Sequence, residues 1–117
     1  MEIDSHVENG VLVMRVRTSR FDALFAKQFN EAFQDHCSKE NSNIVVDLSE
    51  VDFVDSTGLG AMVSKLRQIR KSGDMVLCGI SDGVRSMFRL TRMDKVFRLF
   101  TNTTEAVDAL NSTMLPH

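Results

Sequence analysis

Apolar residues recur along this chain in two rhythms. Three runs are apolar almost without interruption: Val11-Leu12-Val13-Met14-Arg15-Val16, Ile44-Val45-Val46-Asp47-Leu48, and Met75 to Ile80. Runs of this length, bounded by turn residues, read as buried strands. Asn9-Gly10 marks a turn before the first run, and Ile3 to Val7 is its expected hairpin partner. Elsewhere the spacing is helical. Phe21, Leu24, Phe25, Phe29, Ala32 and Phe33 predict one aromatic helix face, with the helix ending near Ser38 before a polar turn, Lys39 to Asn43. Leu59, Met62, Val63, Leu66 and Ile69 predict a second helix, running to about Lys71 and closed by Ser72-Gly73-Asp74. Ser81 or Asp82 can cap a third, carrying Val84, Met87 and Phe88. Val96 to Phe100 reads as a short strand, and Asn102 or Thr103 opens a last helix through Ala106, Val107 and Leu110. The tail 113–117, with the single proline at 116, is expected to fray.

Strands alternating with helices predict an α/β architecture with a parallel central part, made mixed by the opening hairpin. The joint between the second apolar run and the second helix is Val51-Asp52-Phe53-Val54-Asp55-Ser56-Thr57-Gly58-Leu59-Gly60. Asp55, Ser56, Thr57 and Gly58 therefore fall at a helix N-terminus, where backbone N–H groups lack intrahelical partners and the dipole favours negative charge. Such a joint can cap itself with a hydroxyl, Ser56 or Thr57, or it can carry a phosphate. Three catalytic loops lie near this string and none fits. An aspartic-protease loop has one hydroxyl residue between Asp and Gly, and here there are two. A nucleophile elbow needs a glycine two residues before the serine, a place held by Val54. A phosphate-binding loop needs wider glycine spacing and a following lysine.

Apolar strand, acidic turn, then Phe53-Val54-Asp55-Ser56-Thr57-Gly58-Leu59-Gly60 and an amphipathic helix resembles the STAS domain, and more narrowly the bacterial anti-sigma factor antagonists. The likeness continues through Met75 to Ile80, Val84, Met87-Phe88, Leu90, Val96-Phe97 and Glu105-Ala106, covering roughly residues 10 to 112 of a single domain spanning 1–117. It implies a four- or five-stranded mixed sheet with about four helices packed on it. It also implies that the serine after the aspartate, Ser56, is a phosphoacceptor, with Thr57 the secondary candidate. A serine kinase of the ATPase-like fold, acting as an anti-sigma-type partner, would bind and phosphorylate the site, and a metal-dependent serine phosphatase would reset it. The expected partner surface takes in Asp22, Asp55, Ser56, Thr57, Gly58, Leu59, Gly60 and Met62. The two glycines would let a partner approach closely, and Leu59 and Met62 would give apolar contact unless they face the core. One departure stands out: many relatives carry a glycine and an acidic residue before the hydrophobic-Asp pair that opens the first helix, where this chain has Ser19-Arg20-Phe21-Asp22. That leaves open the identity of the partner and any nucleotide binding.

Composition adds a few exclusions. At 117 residues the chain has room for one core, and it contains no 18-residue apolar run, so no membrane span is expected. Its first residues, Met-Glu-Ile-Asp-Ser-His, lack the basic and apolar regions of a signal peptide. Cys37 and Cys78 show no metal-ligand spacing with His6, His36 or His117. No metal or cofactor is expected, and the reducing cytoplasm is the expected location. Charge is uneven: residues 1–59 carry a net −6 and residues 60–117 a net +4, within a total of −2. The nine bases of the second half run from Lys65 to Arg98. With no Trp, no Tyr and no recognition motif, direct nucleic-acid binding is not expected; solvated helix faces, or an acidic protein partner, account for these bases. The reading is of a switch without catalysis. The alternatives are a STAS subunit of a membrane transport assembly and a small hydrolase using Ser56, for which the sequence places no His or Lys beside the serine.

Overall fold

The computed structural model describes residues 2–36 and 43–113. In chain order the elements are β1 (Ile3–Glu8), β2 (Val11–Val16), β3 (Arg20–Phe21), α1 (Ala23–His36), β4 (Asn43–Asp47), β5 (Phe53–Val54) and α2 (Ser56–Ile69). There follow β6 (Asp74–Cys78), α3 (Asp82–Leu90), a 3-10 turn (Met93–Lys95), β7 (Leu99–Phe100) and α4 (Thr103–Thr113). The end of the first helix near Ser38, Cys37, residues 39–42 of the polar turn and the last four residues lie outside the described residues, while Asn43, expected in that turn, opens β4.

β1 and β2 form the expected hairpin, with Asn9 and Gly10 both at positive φ, 50° and 79°, as a two-residue turn requires. β2, β4, β6 and β7 then pair in parallel, giving a five-stranded mixed sheet in the order β1-β2-β4-β6-β7. Side chains alternate across its central strands. Ile44 and Val46 of β4, with Met75 and Leu77 of β6, pack against α1, α2 and α3. Val45, Val76 and Cys78 point to the opposite face, where Ala106, Val107 and Leu110 of α4 cover them. Helices on both faces explain why these strands read as continuous apolar runs. Each fully buried side chain of this size contributes about 1.5–3 kcal/mol. Among the described residues no polar or charged residue is buried.

The first helix starts later than its aromatic spacing suggests. Phe21 is a strand residue of β3, yet it is fully buried and stacks edge-on with Phe25 at 4.8 Å and Phe29 at 5.0 Å. It joined the helical periodicity because its side chain enters the same aromatic cluster from outside the helix. Leu24, expected on that face, is instead 83% exposed. The strand expected from Val96 is only Leu99–Phe100, because the Val96 and Phe97 amides both bond back to the Met93 carbonyl and close the 3-10 turn.

Cys78 is free and buried; burial, with the Asp47 charge second, pushes its thiol up to about 12. His6 is exposed and lies 3.2 Å from Glu8. No helix among the described residues is long and apolar enough to cross a membrane.

Candidate functional site

Two short strands that the sequence did not reveal build the site. β3 and β5 pair in parallel, with Arg20 opposite Phe53 and Phe21 opposite Val54. The Ser19 carbonyl accepts from the Asp52 and Phe53 amides at 2.8 and 3.1 Å, and the Phe21 carbonyl accepts from the Asp55 amide at 3.2 Å. The residue after each strand is an aspartate that caps a helix. The Phe25 amide donates to Asp22 Oδ1 at 3.1 Å, and the Gly58 amide donates to Asp55 Oδ1 at 2.7 Å. The starts of α1 and α2 are thus held side by side by one ladder. The hydroxyls of Ser56 and Thr57 are not the cap, contrary to expectation: the carboxylate of Asp55 reaches the third helical amide first.

Ser56 is therefore the first residue of α2, and both it and Thr57 are exposed. Their backbone N–H groups, the first two of α2, have no partner among the described residues. Gly60 is also exposed, and a Cβ there would meet nothing within 4 Å.

Gly58 and Met62 do not belong to an accessible surface. Gly58 is buried, and a Cβ on it would overlap the Phe21 carbonyl oxygen and stand 2.7 Å from Phe21 Cδ1. Its missing side chain serves α2 docking on β3, not the approach of a partner. Met62 is fully buried and Leu59 is 9% exposed, so the core claims the first wholly and the second largely.

Ser56 and Gly60 open onto a groove of about 650 Å³ along α2, floored by Leu59, Val63 and Met93 and continued by Ser64, Arg67, Gln68 and Lys71. Its lining contains no His, Asp or Glu. Among the described residues no cluster of His, Cys, Asp and Glu could hold a metal ion.

Two exposed apolar residues beside the helix starts lie outside the partner surface expected from the sequence. Phe53 is 43% exposed with the Arg20 guanidinium 4.6 Å above its ring, and Leu24 lies two residues past Asp22. Arg20 also pairs with Asp22 at 3.7 Å, so the basic residue at this departure from the family pattern is tied to both neighbours of the site. Phe53 faces outward and Val54 inward, an alternation only two residues long.

The sequence matches the STAS domain family over residues 2–106. It is 33% identical over 79 residues to the anti-sigma-B factor antagonist of Listeria monocytogenes, covering 67% of this chain and 69% of that one. An anti-sigma factor antagonist of Mycobacterium paratuberculosis superposes with a TM-score of 0.83 at 24% identity, over 93% of this chain and 92% of the other. The Bacillus cell fate determinant SpoIIAA in its phosphorylated form superposes at 0.68 with 18% identity, over 92% and 97%. The chain belongs to the STAS domain family, in the branch of the anti-sigma factor antagonists.

Proposed function

We propose that this protein is a phosphorylation-controlled regulatory switch without catalysis, whose unmodified form binds a serine kinase of the ATPase-like fold acting as an anti-sigma-type partner. Phosphorylation of Ser56 ends that binding, and a metal-dependent serine phosphatase restores it. The observation that carries the reading is Ser56 itself: exposed, first in α2, and placed by the Asp55 cap beside two unpartnered amides. A phosphate there meets N–H donors and the favourable end of the helix dipole, so the modification leaves the fold intact. It adds about −1.5 to −2 charge at pH 7. A loss of ~2–3 kcal/mol at a contact that must desolvate this charge weakens binding about 30- to 150-fold. That a relative of the same fold exists in a phosphorylated form supports the reading. The contact surface we infer is Asp22, Asp55, Ser56, Thr57, the exposed edge of Leu59, and Gly60, with Phe53 and Leu24 added.

The test is phosphopeptide mapping after incubation with the kinase, joined to calorimetric titration of Ser56→Ala and Ser56→Asp. Phosphate on Ser56, tight binding by Ser56→Ala and weakened binding by Ser56→Asp are expected. A stoichiometric mark outside residues 55–58, or wild-type affinity for Ser56→Asp, would overturn the proposal.

A further inference from the structure

Both halves of the chain hold paired and unpaired charges. In the acidic half, Asp4 pairs with Arg17 at 2.8 Å, Glu50 with Arg15 at 3.2 Å, and Asp22 with Arg20. In the basic half, Arg70 and Arg98 share Asp74 at 3.9 and 3.5 Å, and Lys65 lies over the Phe33 ring at 5.9 Å. The remaining six cations, Arg67, Lys71, Arg85, Arg89, Arg92 and Lys95, form no ion pair among the described residues. Asp82 and Asp94 are the nearby acids in sequence and neither pairs with them.

Two of the six, Arg67 and Lys71, line the groove that begins at Ser56. Ser56, Gly60, Val63, Ser64 and Arg67 follow one stripe of α2, because steps of three and four residues return to the same face, and Lys71 lies in the turn just past the helix end. At about 1.5 Å per residue, Arg67 stands roughly 16 Å along the helix from Ser56. That is about two Debye lengths at physiological salt, so these cations do not neutralise a phosphate on Ser56. The groove therefore has two independent ends over an apolar floor: a modifiable hydroxyl at one, and unpaired cations at the other.

We infer that the far end of this groove docks an acidic segment of the partner protein, with apolar side chains on Leu59, Val63 and Met93 and carboxylates on Arg67 and Lys71. Charge complementarity selects the occupant. A single-stranded nucleic acid would want aromatic rings to stack on, and the lining has none. The inference rests on the proposed switch and deepens it: the basic end sets affinity and encounter rate in both states, while Ser56 alone sets the state.

The experiment uses the full chain carrying the photo-crosslinker benzoylphenylalanine at Gln68, in the groove, or at Thr57, beside the switch. Far-UV circular dichroism checks that both fold, and cross-linked peptides are sequenced from the source cell. At Gln68 a peptide of net negative charge is expected, from the same protein that Thr57 captures. Arg67→Glu with Lys71→Glu should then weaken binding of that purified protein by about tenfold or more, with a salt dependence flatter than wild type. A neutral or basic peptide, a nucleic acid, a lipid, a second copy of this chain, or no product at Gln68 would overturn the inference, as would unchanged affinity of the double variant. The proposed switch is judged separately: capture at Thr57 with silence at Gln68 keeps it and removes only the groove.

Discussion

The carbonyl of Phe21 occupies the place where a side chain on Gly58 would begin. Gly58 is thus a contact between α2 and the short strand β3, whereas Gly60, two residues on, faces open space. The two glycines should respond in opposite ways to alanine. Gly58→Ala must displace backbone, and a loss of about 1–3 kcal/mol is expected. Gly60→Ala adds a better helix former at no steric cost and should gain up to ~1 kcal/mol. Urea unfolding of both variants checks the pair; equal behaviour would mean that Phe21 and Gly58 are not locked together.

Much of the architecture was legible because helices cover both faces of the central strands, which leaves them apolar throughout. The β1–β2 hairpin announced itself through Asn9-Gly10, and the start of α3 through Ser81, whose hydroxyl accepts from the Val84 amide at 3.3 Å. The two-residue strands β3 and β5 could not be read. Two residues give no periodicity, and their pairing joins segments far apart in sequence. That blind spot moved Phe21 into a helix, assigned the α2 cap to a hydroxyl, and offered Gly58 to a partner. The position of Ser56 at the helix start survived, since it depends only on where the apolar stripe of α2 begins.

The cap assignment separates two neighbouring substitutions. Asp55→Ala removes the acceptor of the Gly58 amide and should cost about 0.5–2 kcal/mol. Ser56→Ala touches an exposed side chain outside the cap and should stay within about 0.5 kcal/mol of wild type. Thermal melts of the two variants distinguish them; a larger loss for Ser56→Ala would return the capping role to the hydroxyl.

Cys78 gives the fold an alkaline limit. Its thiol is pushed from 9.0 to about 12 by burial and then by Asp47, so the folded state keeps a proton that the unfolded chain gives up. Stability from this group is complete below pH 9.0 and is lost as pH rises from there towards about 12. Cys78→Ala should flatten that part of the profile while lowering stability at neutral pH through the cavity it leaves. Denaturant midpoints of the two proteins between pH 8 and pH 11 give the comparison, and parallel profiles would refute it.

The proposed contact surface makes its sharpest demand at Gly60. An arginine there points into open space on the groove side of Ser56, so the domain should fold at least as well as wild type. The bulk falls where a partner must approach the switch, and binding should weaken by about tenfold or more, since even ~1.4 kcal/mol of lost contact is that large. Lys65 is a contrasting control. It is half-buried with its ammonium over Phe33, which draws it towards α1 and away from the groove. Lys65→Ala should therefore change affinity little. Amide-shift mapping of the labelled chain with unlabelled partner reports both: shifts are expected at residues 55–64 and at Phe53, and Gly60→Arg should suppress them. Shifts centred on α4, on the opposite face of the sheet, with residues 55–64 silent, would move the contact elsewhere and remove the basis for control by Ser56.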